Sequence, residues 1–184
     1  MGRKEHIYSR VHDAEEIVQK LCEKHPDVFW AVRPETICVM GIENKEKPKS
    51  SNVLAKVKSV KGSEKAIFQE NNIKARYIIE LYWNEYNEWS EKKKQYVLFH
   101  ELLHVHPEFG RLIKHDSEDF AILLNTAGVK WIEKVNELPD LLHDDVKFDL
   151  TLRPSLDLED DDGEKGEIDD VIDEMEKEKK AKSK

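Results

Sequence analysis

The sequence predicts an α+β domain with an N-terminal helix, a small mixed or antiparallel sheet, a helix bearing two histidines and a glutamate, and a following helix with a third candidate ligand near its start. Three observations predict it. Apolar residues recur at helical intervals early in the chain; β-branched and aromatic runs follow at 37–42, 53–60 and 77–83; and His100-Glu101-Leu102-Leu103-His104 falls late in a capped helical run.

From about residue 9 to 23, Val11, Ala14, Ile17, Val18, Leu21 and Cys22 form a helical stripe, so this helix covers one side of a sheet. Ile37-Cys38-Val39-Met40-Gly41-Ile42 is short, apolar and β-prone. Val53–Val60 alternates in part and ends near Gly62. Tyr77–Trp83 makes a third strand, rich in aromatic and β-branched residues, and leads through Asn84–Asn87 to the next helix. There, Ser90 is a suitable N-cap before Glu91–Phe99, a run of mostly good helix formers, and Pro107 marks its end. Trp83 and Trp89 flank the entry to this helix and, with Trp30 and Trp131, are expected to close the core.

On a helical wheel of about 100° per residue, Leu98, Phe99, Leu102, Leu103 and Val105 spread over a broad apolar arc, whereas His100 and His104 lie about 40° apart on the other side. The helix packs by one face and offers two imidazoles from another. Neutral imidazoles one turn apart can hold Zn²⁺ at about 2.0–2.1 Å, and a catalytic site takes a third protein ligand and keeps a position for water. Glu101, about 60° beyond His104, reaches that water better than it reaches the metal, which makes it the candidate general base. His115 is the first choice for third ligand, beyond the break at Pro107 and Gly110 and ahead of the apolar run Phe120–Leu124, which reads as another helix with acids at its N-terminus. Glu118, then Asp119, then His106 are the alternatives. His106 and Arg111 are also near enough in sequence to be considered as oxyanion-stabilising groups. His6, His12, His25 and His143 read as ordinary surface or core histidines.

Tyr96–His104, followed by Pro107, Gly110 and Lys114-His115-Asp116-Ser117-Glu118-Asp119-Phe120, resembles the phage metallopeptidase family and, more distantly, is similar to the SprT-like or Spartan-like zinc proteases. The resemblance covers roughly residues 8–142. It implies a compact zincin fold in which His100, His104 and His115 match the three zinc ligands and Glu101 matches the catalytic acid/base. This sequence departs from the SprT-like pattern, which commonly has His-Gly where His115-Asp116 stands and often adds a four-cysteine ribbon that Cys22 and Cys38 cannot build. Asp116 could orient a ligand imidazole through its outer nitrogen or cap the following helix, and the cap is the preferred reading.

With 184 residues the chain is long enough for one domain with a real core, assigned to 1–150, and residues 151–184 form an acidic tail. Within 157–184 there are 13 acids and six lysines, so most of the net charge of −9 belongs to the tail. Its composition does not offset the entropy cost of folding alone, although Ile168, Val171, Ile172 and Met175 are spaced for a short amphipathic helix. The lysines at 45, 47, 49, 56, 58, 61 and 65 lie across loops and a strand with little aromatic interleaving, which argues for a solvated surface over a nucleic-acid site. No targeting signal opens the chain, no stretch reaches the 18 or more apolar residues of a membrane span, and two distant cysteines fit reduced buried thiols, so a cytoplasmic location is expected.

The expected function is a zinc-dependent peptidase acting on a protein or peptide substrate, whose backbone could add along a sheet edge beside the cleft. Two other readings stand beside it: a catalytically silent binding protein on a zincin scaffold, and a SprT-like protease of nucleic-acid-bound proteins. The acidic balance and the missing ribbon weigh against the last.

Overall fold

A computed structural model of the chain describes residues 6–43, 54–106, 111–115 and 119–154. Four strands form one mixed sheet in the order β1-β2-β4-β3. Strand β2 (Ile37–Glu43) runs parallel to β4 (Tyr77–Tyr82), and the two edge strands, β1 (Ile7–Arg10) and β3 (Ala55–Ser59), each pair antiparallel with their one neighbour. The central pair carries the β-branched and aromatic residues that such a doubly covered position favours.

Helix α1 (His12–Lys24) buries the predicted stripe Ala14, Ile17, Val18, Leu21 and Cys22. It starts at His12 and not near residue 9, because Ser9 and Arg10 pair with Gly41 and Met40 of β2 and Val11 N–H donates to the Val39 carbonyl at 2.9 Å. Sheet hydrogen bonds thus outcompete the first helical turn. The sequence expectations did not include β1 or helix α2 (Gly62–Glu70), which joins β3 to β4. Both expose most of their side chains, and α2 buries none fully, so neither has an apolar period to reveal it. Lys58 of β3 is tied to Glu64 of α2 at 2.6 Å and to Glu80 of β4 at 2.9 Å, which makes part of the lysine-rich stretch an ion-pair network.

The strand expected over 77–83 ends at Tyr82, and Trp83 opens the single-turn helix α3 (Trp83–Tyr86). Trp83 lies against β2 at Gly41, where an added Cβ would meet Trp83 Cε3 at 2.6 Å and Val11 Cγ2 at 3.1 Å. Only glycine admits that approach. Trp89 and Trp131 are buried as expected, but Trp30 is 61% exposed and closes no core; it follows Phe29, which takes the inward position against Phe99.

Helix α4 (Glu91–Leu103) begins at Ser90, whose Oγ accepts from Lys93 N–H, as its sequence predicts. The helix is more enclosed than a one-faced amphipathic helix. Helix α1 and strand β3 pack against it, and so does the segment 138–148, with Leu141 N–H donating to Gln95 Oε1, Tyr96 Oη donating to the Pro139 carbonyl, and Phe148 stacked on Phe99 at 4.8 Å. Helix α5 (Ala121–Ala127) ends at Gly128, φ 80°, and the short helix α6 (Trp131–Lys134) follows Lys130, φ 59°. The expectation that a helix carries the third ligand near its start is corrected: His115 lies on a non-helical segment upstream of α5. Asp116, Glu118, Pro107, Gly110, the first three lysines of the basic stretch and the tail from 155 onward lie outside the described residues. Among the described residues, no helix is long and apolar enough to cross a membrane.

Candidate metal centre

The last turn of α4 presents His100, and His104 follows as its C-cap with helical backbone angles, so the two rings stand 5.1 Å apart on one side of the helix. The chain then returns against the helix end. Val105 and Leu112 form an isolated antiparallel bridge, and Ile113 N–H donates to the His104 carbonyl at 2.7 Å. That return delivers His115, whose Nε2 lies 3.1 Å from His100 Nε2 and 3.1 Å from His104 Nε2. Phe120, fully buried, lies under all three rings, with centroid separations of 5.5, 4.7 and 4.9 Å to His100, His104 and His115.

The outer nitrogens fix which way the inner ones face. His104 Nδ1 lies 2.6 Å from the Ile113 carbonyl, which can only accept, so Nδ1 carries the proton and Nε2 presents its lone pair. His100 Nδ1 lies 2.9 Å from Asp119 Oδ1, an ion-pair contact that favours the same tautomer without the regular hydrogen-bond geometry of the His104 contact. In the neutral set, His115 Nε2 has at most one hydrogen for two nitrogens that each lie 3.1 Å away, so hydrogen bonding does not fully relieve lone-pair repulsion within the cluster. A cation between them removes that repulsion. Nitrogens bound at about 2.0–2.1 Å around one tetrahedral ion are roughly 3.3 Å apart, close to the spacing observed. The three histidines therefore fit a metal ion, their ligand atoms all lying within 4.8 Å of one another.

Electrostatics differ sharply between neighbouring groups. Burial, together with the nearby His100 and His115, drives the His104 imidazole down to about 4 despite its Ile113 hydrogen bond. Burial also lowers His100, but the Asp119 hydrogen bond and the negative charges of Glu101 and Asp119 more than offset it, so His100 titrates above its ordinary value. Asp119 is held below the usual carboxylate range: burial raises it, and hydrogen bonds from His100, Trp131 and the Phe120 backbone outweigh that effect. Glu101 is 5% exposed, and burial pushes its carboxyl up to about 7, against the downward pull of His100 and a hydrogen bond from the Val57 backbone on edge strand β3.

Of the residues singled out in the sequence, His100, His104 and His115 come together and Glu101 stands on the same helix turn. Asp119, an alternative ligand, instead meets the outer nitrogen of His100. His106 is buried and its carbonyl accepts from Tyr77 Oη at 3.0 Å; it is not part of the cluster. His25 is a core residue whose Nε2–H donates to the Leu141 carbonyl at 2.7 Å, while His12 and His143 are exposed beside acids. Sequence reasoning missed the Ile113 carbonyl, the Phe120 floor and the Trp131 indole that donates to Asp119. A backbone acceptor leaves no trace in residue identity, and an aromatic floor reads as ordinary core.

Fold and site define an α+β protein with a three-histidine group able to hold a metal, gathered at the end of the helix that carries the H-E-x-x-H sequence. The chain belongs to the family described as "Putative phage metallopeptidase", whose profile matches residues 6–142. No curated protein and no solved structure matches the chain. A metal-dependent peptidase and a peptide substrate are what that family membership suggests.

Proposed function

We propose that this chain is a zincin-type, zinc-dependent peptidase in which residues 1–150 form the catalytic domain, the acidic segment 151–184 is an appendage, and the buried thiols Cys22 and Cys38 suit a reducing cytoplasm. The observation that carries it is the convergence of three imidazole Nε2 atoms, with the outer nitrogen of His104 bonded to the Ile113 carbonyl and that of His100 facing Asp119, beside the glutamate of the same helix turn. His100, His104 and His115 would hold the ion, and an all-nitrogen set of three imidazoles suits Zn²⁺. Bound zinc supplies Lewis acidity, lowering the pKa of water toward neutrality and polarising the scissile carbonyl.

Glu101 moves the proton. Burial holds its carboxyl up to about 7 in the metal-free protein, and as general base it would take a proton from the attacking water and return it to the leaving amine. His104, neutral down to about 4, keeps its lone pair available throughout that range. Edge strand β3 lies beside Glu101 through Val57, and a substrate backbone added there as an extended strand would run past the carboxylate.

The burial of Glu101 and its bond from Val57 favour a second reading, a zincin-scaffold binding protein in which this carboxylate is structural. One experiment separates the two. Wild-type protein and Glu101→Gln, both loaded with zinc, are incubated with an unfolded protein pool and the products are analysed by mass spectrometry. The peptidase reading expects cleavage by wild type and a loss of about 10²–10⁴-fold in Glu101→Gln with zinc retained. Absence of cleavage by zinc-loaded wild type, or equal cleavage by the variant, contradicts it.

A further inference from the structure

Asp119 is engaged on both oxygens. Oδ1 lies 2.9 Å from His100 Nδ1 and accepts from the Phe120 backbone N–H at 2.7 Å, while Oδ2 accepts from Trp131 Nε1–H at 2.7 Å across 12 residues of sequence. Trp131 is 3% exposed, with its ring tilted against Tyr96 of α4 at 5.8 Å, so the indole cannot readily turn away. The turn that aims it is costly: Gly128 has φ 80° and Lys130 has φ 59°, and a left-handed non-glycine residue is retained only where surrounding contacts determine it. A carboxylate whose one oxygen is pinned by an indole and whose other faces an imidazole has little rotational freedom. That contact favours the His100 tautomer protonated on Nδ1 and restrains its ring, although the angle at Nδ1 falls short of a regular hydrogen bond.

We propose that Asp119 and Trp131 are positioning residues for the metal centre, a two-link brace in which Trp131 orients Asp119 and Asp119 orients His100. The inference rests on the zinc reading of the His100, His104 and His115 site. His104 is braced differently, by the Ile113 carbonyl, so the two histidines of one helix are held by independent partners. Loss of the Asp119 brace should therefore act on His100 and leave His104 oriented. Outer partners of this kind are worth about 10–100-fold in metal affinity.

The test measures zinc affinity by chelator competition in the full chain for wild type, Asp119→Ala, Asp119→Asn and Trp131→Phe, together with imidazole ¹⁵N–¹H correlation spectra of the zinc-loaded proteins. Asp119→Ala is expected to bind about 10–100-fold more weakly. Asp119→Asn, which keeps an acceptor for the His100 Nδ1–H, and Trp131→Phe, which keeps the ring against Tyr96, should fold and fall between wild type and Asp119→Ala. The His100 Nδ1–H signal should shift in all three variants while that of His104 stays in place. Undiminished zinc affinity in Asp119→Asn and Trp131→Phe, or a His104 signal displaced as far as that of His100, overturns the brace alone. A wild-type protein that takes up no zinc overturns both the brace and the zinc reading beneath it.

Discussion

Protons and metal compete for the same nitrogens at this site, and the competition is uneven. The His104 imidazole is held down to about 4, so it meets a metal already deprotonated across the neutral range. His100 is raised by Asp119 and Glu101, and must give up a proton as its nitrogen takes the ion. The sign follows: on acidification through the raised His100 range, the metal-free form gains a proton that the loaded form excludes, so affinity falls with pH. His104 adds a second proton to the exchange only near 4. Zinc titrations at pH 8, 7 and 6 should show affinity weakening by up to about tenfold per unit for each proton displaced. An affinity that is flat across this interval, or that rises as pH falls, contradicts the assignment. Burial is the largest influence on all three groups but acts with opposite sign, favouring the protonated carboxyl of Glu101 and the neutral imidazoles of His100 and His104.

Elements differ in how openly the sequence announces them. Helix α4, with its Ser90 cap and continuous run of helix formers, begins where predicted, and β2, β3 and β4 fall within a residue or two of their apolar runs. Strand β1 and helix α2 are hidden because each shows solvent most of its side chains; pairing with β2 and the span from β3 to β4 define them, and both are long-range facts. The site was legible for the same reason α4 was: two imidazoles at a spacing of four share a helix face whatever surrounds them. The convergence of His115 depended on the Val105 and Leu112 bridge, which no periodicity encodes. Trp30 shows the limit of composition, since a tryptophan beside Phe29 loses the inward place to its neighbour. Gly41 marks a tight element contact whose cost can be measured. Gly41→Ala sets a Cβ 2.6 Å from the rigid Trp83 ring, and should lower stability by about 1–3 kcal/mol in urea unfolding. A variant as stable as wild type would mean that Trp83 does not pack on β2 as described.

Across the whole molecule, α4 is packed by α1, by strand β3 and by the segment 138–148. His25 joins that packing, its ring edge-on to Phe99 and Phe148 and its Nε2–H bonded to the Leu141 carbonyl. Such enclosure holds the helix that bears His100 and His104 in one position, and the return segment needs only to bring His115 to it. Rigidity of that kind is what a preformed metal site requires, because ligands placed before binding cost little to order. The account therefore stands on one claim, that three histidines bind one ion together. Metal content and affinity of the purified wild-type chain, measured beside His104→Ala and His115→Ala, test it most directly. One zinc per wild-type chain, with binding severely weakened in both variants, is the predicted result; zinc held by His115→Ala as tightly as by wild type, or by neither variant any less than by wild type, would contradict it.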